Sequence, residues 1–305
     1  MKKLRGSIVA LVTPFENDGG IDYPALSQLI NFHLENGTSG ILVNGTTAES
    51  PCITLEEFDS ITKFVVDQVN GAIPVIAGTG SNSTDQAIIR SQIAEYNGVD
   101  GLLVVSPYYN KPTAKGLLEY FGSIATSTSL PIIIYNVPGR TASNIPTDII
   151  LELARRHRTI IGIKEASGSM EKIMDLIQNR PSGFLVYSGD DSLALNTVLI
   201  GGDGCISVVA NQIPKVFSQM LNAGLNGEIE IARNLHYKYY ELMKLNFIET
   251  NPIPVKTALH QMGLISLNFR SPMCTMEEEN EAILSKELNN LSLTSSKRVK
   301  EFILE

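Results

Sequence analysis

The chain has 305 residues, 43% of them hydrophobic, with 24 Lys plus Arg against 32 Asp plus Glu and a formal net charge of −8. That length supports one large core, or a core with an appendage. An acidic chain without basic runs is a poor partner for nucleic acid or an anionic membrane, so neither is expected, and a protein that stays in solution is.

The opening M-K-K-L-R-G-S-I-V-A-L-V-T-P sets basic residues ahead of an apolar run, as a signal peptide does. The run Ile8 to Val12 is only five residues and stops at Thr13-Pro14, shorter than a signal core and far shorter than a membrane span. It reads as a first strand. Similar β-branched runs follow: G-I-L-V-N-G (40–45), I-P-V-I-A-G-T-G (73–80), G-L-L-V-V-S-P-Y (101–108) and P-I-I-I-Y-N-V-P (131–138). The series continues with I-I-G-I-K-E-A (160–166), F-L-V-Y-S-G-D (184–190) and G-C-I-S-V-V-A-N (204–211), eight in all. Each is nearly continuously apolar, as parallel strands covered on both faces should be.

Helical periods fill the intervals. Leu26, Leu29, Ile30, Phe32 and Leu34 mark one side of 23–36; Leu55, Phe58, Ile61, Phe64, Val65 and Val69 do so in 54–69. Pro24 and Pro146 suit first helical turns, and Thr54 with Glu57 forms a capping-box pattern. Eight such units in roughly 220 residues predict an α/β fold, a (β/α)8 TIM barrel. A doubly wound open sheet would carry a glycine-rich loop after its first strand, and V-T-P-F-E-N-D-G-G stands there instead. Beyond about residue 226 only helices are expected, at 227–246, 253–263, 276–289 and 296–303. The expected organisation is a catalytic barrel over 1–226 and a C-terminal helical region over 227–305.

In such barrels the active residues lie at the C-terminal strand ends. That rule selects Thr46 and Thr47 after the second strand, Tyr108 and Tyr109 after the fourth, and Tyr135 and Asn136 on the fifth. It adds Arg140 in the following loop, Lys164 ending the sixth, Gly189 to Asp191 after the seventh, and Ser207 near the end of the eighth. No metal-ligand cluster is among them, so neither a metal nor another cofactor is expected. His33, His157, His236 and His260 all fall on predicted helices, which point away from the mouth. Cys52, Cys205 and Cys274 are odd in number and far apart, which suits a reducing cytoplasm.

Lys164 ends an apolar run that has no obvious use for an ammonium group. Burial disfavours the charged form of a lysine, and a neutral amine attacks carbonyls to give a Schiff base. That adduct is an electron sink and supports aldolase chemistry without metal. The alternative is a structural lysine paired with Glu165 or an acid on another strand. Tyr135, at the equivalent end of the neighbouring strand, can pass protons to and from such an adduct; otherwise it fills the core. Thr47 and Tyr109 can extend a hydroxyl relay. Thr46 and Thr47 offer hydroxyls and turn N–H groups to a carboxylate, and Arg140 offers a bidentate fork for a second one.

The stretches G-T-T-A-E-S-P (45–51), Y-Y-N-K-P-T (108–113), Y-N-V-P-G-R-T (135–141), G-I-K-E-A-S-G (162–168), S-G-D-D (188–191) and G-G-D-G-C-I-S-V-V-A-N (201–211) resemble the dihydrodipicolinate synthase family. That family belongs to the pyruvate-dependent N-acetylneuraminate lyase superfamily, and the resemblance covers nearly the whole chain. It implies condensation of pyruvate with L-aspartate 4-semialdehyde on the way to diaminopimelate and lysine. It makes Lys164 the Schiff-base residue and Tyr135 the proton donor and acceptor. Thr47 and Tyr109 would complete the relay, Tyr109 reaching in from the partner of a tight dimer. Thr46 and Thr47 would hold the pyruvate carboxylate, Arg140 the aldehyde's carboxylate, and Gly189 and Ile206 would add main-chain contacts. A homotetramer, a dimer of tight dimers, is implied.

Sugar-acid aldolases of the superfamily resemble the chain at Lys164 and Tyr135 but generally lack the arginine at position 140, so Arg140 favours a short dicarboxylic product. A non-catalytic carboxylate-binding barrel is the remote alternative, and it would need no nucleophile. Two departures stand out. Ala48 replaces a frequent glycine, so the turn must suit alanine or be strained. Lysine-sensitive members bind their inhibitor with two histidines and a glutamate. Leu55, Phe58 and Gln86 stand at those positions here, while Ser50, Asn82 and Tyr108 remain. Weak or absent feedback by lysine is expected.

Overall fold

The fold was obtained as a computed structural model that describes residues 4–294. Its strands are β1 (Gly6–Ala10), β2 (Gly40–Val43), β3 (Val75–Gly78), β4 (Gly101–Val105), β5 (Ile132–Asn136), β6 (Ile160–Glu165), β7 (Leu185–Ser188) and β8 (Gly204–Ser207). They pair in chain order, and β1 also pairs in parallel with β8, so the eight strands close into a barrel. The first strand starts two residues before the predicted Ile8 and ends at Ala10; Leu11 and Val12 stay buried beyond it.

Helices α1 (Tyr23–Glu35), α2 (Leu55–Val69), α3 (Thr84–Tyr96), α4 (Ala114–Ser127), α5 (Pro138–Thr141), α6 (Thr147–Arg156), α7 (Met170–Asn179), α8 (Ala194–Leu199) and α9 (Pro214–Asn226) connect and follow the strands. The capping box at α2 is complete: Thr54 Oγ1 accepts from Glu57 N at 3.2 Å, and Glu57 Oε2 accepts from Thr54 N at 3.0 Å. Pro24 sits in the first turn of α1, but Pro146 is the N-cap residue of α6 and lies just outside it. His157 likewise falls one residue beyond α6. His33 is fully buried against Thr38, and burial pushes its pKa down to about 3, so it packs as a neutral ring.

Alternation along each strand builds two cores. Ile132 and Ile134 of β5 face the helices, while Ile133 and Tyr135 face the barrel axis. The inner core also holds Ile8, Leu42, Ile76, Leu103, Tyr187 and Ile206. Tyr187 donates its hydroxyl to Leu4 O at 2.7 Å and closes the floor. Each large apolar side chain buried this way contributes roughly 1.5–3 kcal/mol, and the packed floor leaves the C-terminal strand ends as the open side.

Helices α10 (Ile229–Leu245), α11 (Ile253–Gln261) and α12 (Glu278–Asn290) follow the barrel. Leu242, Leu259, Leu284 and Leu288 from these helices join the same outer core as the barrel helices. The helix predicted at 296–303 lies outside the described residues. Among the described residues no helix is long and apolar enough to cross a membrane.

Candidate active site

An open cavity of about 740 Å³ occupies the C-terminal mouth of the barrel. Thr46, Thr47, Tyr135, Arg140, Lys164 and Gly189 all line it. With Asp190, seven of the residues selected from the sequence, drawn from four different strand ends and the loops after them, are therefore brought together.

Lys164 enters the mouth because of the pleat of β6. Ile163 and Glu165 turn outward to the helices, and Lys164 turns inward. A register shift where β6 meets β5 sets this phase: Ile132 pairs with Ile160, but Ile133 pairs with Gly162. Gly162 is required there, since a Cβ would stand 2.7 Å from Leu185 O. From that point the register runs to Tyr135 opposite Lys164, and the Lys164 Nζ lies 4.5 Å from the centroid of the Tyr135 ring. Both residues are buried. Gly189 makes room for the lysine: a Cβ at 189 would come within 3.0 Å of Lys164 Cε and 3.1 Å of its Cγ.

Lys164 makes no hydrogen bond or ion pair with any of the described residues. The pairing with Glu165 that would make it structural does not occur. Glu165 points to the opposite face, where it accepts from Asn136 Nδ2 at 3.0 and 2.9 Å and from Ser167 N at 2.7 Å. Lys172 Nζ of α7 lies 3.6 Å from it, and burial pulls the pKa of that lysine down. Lys172 in turn donates to Asn144 Oδ1 and Ile145 O, both at 2.6 Å. Asn136 completes the brace by accepting from Ile145 N at 3.0 Å. Glu165 thus ties β5 to β6 directly behind Tyr135 and Lys164, and fixes the chain that follows Arg140.

Asp190 and Asp191 divide similarly. Asp190 borders the cavity, while Asp191 turns away from it, buried beside Cys205, and accepts from Val208 N at 3.2 Å and Val209 N at 2.7 Å. Burial pushes the Asp191 carboxyl up to about 6. Ser207 donates no side-chain bond into the mouth; its Oγ accepts from Ala210 N at 2.9 Å. Ile206 packs in the inner core beneath the cavity.

Tyr109 does not enter this cavity. It is 89% exposed and has a φ of 75°, so its ring leaves its own barrel. Tyr108, Ser50 and Asn82 are half-buried, and Asn110 Nδ2 donates to Asn82 O at 2.7 Å. At the neighbouring positions Phe58 is a core residue, Leu55 is half-buried and Gln86 is exposed. Ala48 is accommodated without strain: it closes a short 3-10 turn over Thr46–Ala48, and the left-handed conformation falls on Glu49, with φ 57°.

The strand-end rule missed one wall. Phe247, Ile248, Glu249, Thr250 and Asn251, from the connection between α10 and α11, also line the cavity. Asn251 Nδ2 donates to Thr47 Oγ1 at 3.0 Å, and Asn251 O accepts from Arg140 Nη2 at 3.0 Å. The only sequence signal was the turn dipeptide Asn251-Pro252, which marks a loop and not its destination.

Fold and mouth together describe a (β/α)8 barrel whose open end holds a buried lysine beside a tyrosine ring. The model of the dihydrodipicolinate synthetase family matches residues 3–291, and the chain belongs to that family. A 4-hydroxy-tetrahydrodipicolinate synthase from Chlorobium phaeobacteroides is 47% identical over 290 residues, covering 95% of this chain and 98% of the relative. One from Methanocaldococcus jannaschii is 47% identical over 289 residues, covering 95% and 99%. The crystal structure of dihydrodipicolinate synthase from Aquifex aeolicus superposes with a TM-score of 0.94 at 45% identity, covering 96% of this chain and all of that one.

Proposed function

We infer that this chain is a lyase that condenses pyruvate with L-aspartate 4-semialdehyde to give 4-hydroxy-tetrahydrodipicolinate, a step toward diaminopimelate and lysine. The observation that carries the reading is the unpaired Lys164 amine, buried at a strand end beside the Tyr135 ring. The amine adds to the pyruvate keto carbon and water leaves, giving an iminium. Loss of a methyl proton gives the enamine, which attacks the aldehyde carbon and forms the new C–C bond. Attack by the second substrate's own amine then releases the lysine and closes the ring. Tyr135 is the group placed to carry protons to and from the carbinolamine oxygen.

In this reading Thr46 and Thr47 hold the pyruvate carboxylate, beside Gly189. Arg140 holds the carboxylate of the semialdehyde. Ile206 supports the lysine from the layer below, with its main chain near the adduct. Tyr109, turned away from its own mouth, serves the site of a partner in a tight dimer, two such dimers making a tetramer. The cytoplasm is the compartment in which the substrates and the unpaired cysteines fit. Residues 1–226 serve as the catalytic barrel, and the helical region that follows, described to residue 294, contributes one wall.

Two assays test this reading. Turnover with pyruvate and L-aspartate 4-semialdehyde should exceed turnover with any polyhydroxylated sugar aldehyde by orders of magnitude. Faster turnover of a sugar aldehyde would assign the chain to the sugar-acid aldolases instead. Steady-state rates should be insensitive to sub-millimolar lysine, because Phe58 is committed to the core and neutral Gln86 offers no charge partner to an ammonium. Strong inhibition in that range contradicts the expectation.

A further inference from the structure

Asn251 is 95% buried, being 5% exposed, yet it borders the mouth and touches two groups of the proposed site. Its side-chain Nδ2 donates to Thr47 Oγ1 at 3.0 Å. Its main-chain oxygen separately accepts from Arg140 Nη2 at 3.0 Å. Thr47 is itself buried and makes no other side-chain hydrogen bond with the described residues.

A hydroxyl has one proton and two lone pairs. With the Asn251 amide on one lone pair, the Thr47 proton cannot point toward Asn251. It is left to donate elsewhere, and the cavity is the side on which Thr47 has space. The opposite amide orientation is the poorer one. It would consume the Thr47 proton and leave both amide hydrogens without an acceptor, in a pocket where the carbonyl Oδ1 already stands buried and unpartnered.

We propose that Asn251 is a positioning residue for the reaction: its side chain orders Thr47 as a hydrogen-bond donor into the mouth, while its main chain independently anchors Arg140. The proposal rests on the reading of Lys164 and Tyr135 as an aldolase centre. It assigns the direction of the hydroxyl relay, which Thr47 alone leaves open. Thr47 then donates to pyruvate's carboxylate or to the Tyr135 oxygen when that oxygen has given up its proton. It also separates the two substrates. The side chain of Asn251 governs pyruvate and proton transfer; its backbone governs the carboxylate of the second substrate.

Asn251→Asp tests the direction. A carboxylate is nearly isosteric but only accepts, so it turns the Thr47 proton away from the mouth. The expected result is a loss of roughly 10²-fold in kcat/KM for pyruvate, the scale of removing one positioned donor. KM for the semialdehyde should stay unchanged, because the Arg140 contact uses the backbone. Asn251→Ala frees Thr47 to rotate and should fall between wild type and Asn251→Asp.

A double-mutant cycle with Thr47→Val removes the remaining ambiguity. If Asn251 acts through Thr47, adding Asn251→Asp to Thr47→Val costs nothing further. A general scaffold role, or simple repulsion of pyruvate by the new carboxylate, would instead multiply the two losses. Thermal midpoints of all variants identify any that are merely unfolded, in which case Asn251→Ala and its double mutant carry the cycle. Borohydride trapping separates the two levels of inference. No pyruvate adduct in the wild-type chain overturns the aldolase reading and this proposal together. An adduct in the wild type, with Asn251→Asp as active as wild type or with multiplicative losses in the cycle, overturns this proposal alone.

Discussion

Replacing Lys164 with arginine should abolish the pyruvate adduct trapped by borohydride and lower kcat by on the order of 10⁴-fold or more, the scale seen when a covalent nucleophile is removed. Arginine keeps a positive charge at the strand end, but a guanidinium does not form an imine under these conditions. The variant therefore separates two uses of the position. If the charge alone mattered, as for holding a carboxylate, arginine would retain much of the activity. The covalent use is expected because Lys164 has no ion-pair partner among the described residues and Gly189 leaves room for its Cγ and Cε. Mass analysis after trapping in the wild type should find the added three-carbon unit on the peptide that contains Lys164. An adduct on another lysine, or none, removes the proposed mechanism. Half-buried Lys172 and buried Lys256 are the alternatives, and both are already engaged with glutamates.

Replacing Lys256 with methionine should have the largest effect on stability. Lys256 is fully buried; its Nζ lies 2.7 Å from Glu49 Oε1 and packs 4.3 Å from the Phe15 ring centroid and 4.9 Å from that of Phe269. Burial draws the pKa of this lysine down, opposed by Glu49. Glu49 is also buried, and its other oxygen accepts from Arg270 N at 3.0 Å. Methionine fits the volume but leaves the Glu49 carboxylate without its cation. Removing one partner of a buried pair costs about 3–5 kcal/mol. At about 2–4 °C per kcal/mol for a large domain, the thermal midpoint should fall by roughly 6–20 °C. The double replacement Lys256→Met with Glu49→Gln should recover much of that loss, since no charge is then stranded. A single variant with an unchanged midpoint would show that the pair is dispensable. Activity should fall with stability, because Glu49 carries the left-handed residue that ends the Thr46–Ala48 turn.

The barrel was legible because parallel strands buried on both faces print themselves as apolar runs, and the strand-end rule then placed Thr47, Tyr135 and Lys164 in one mouth. The role of Glu165 was not legible. Its direction depends on the phase of β6, and that phase is set by the register shift before Gly162, which periodicity does not record. The length of the first strand was misplaced for a related reason: Leu11 and Val12 are apolar and buried but have left the ladder. Asn251 was hidden more deeply. It is a polar residue in a connection between helices, 204 residues from the threonine it touches. Only the packing of α10 and α11 on the outer core carries it to the mouth. The strand-end rule also selected Tyr109, which is 89% exposed outside the cavity, because the rule fixes a position along the chain and not the direction of a side chain.

The wall formed by Phe247 to Asn251 also bears on the order in which the protein is made. β8 must emerge before β1 can be sealed at positions 6 and 204, so closure waits for two-thirds of the chain. Even then the mouth lacks one side until residue 251 has been synthesised. Contacts this distant in sequence form late, because the loop they close is long. During synthesis the nascent barrel therefore holds Lys164 before Thr47 and Arg140 have been fixed. A released chain truncated at residue 226 should therefore trap pyruvate and other carbonyl compounds on Lys164 with less discrimination than the full chain does.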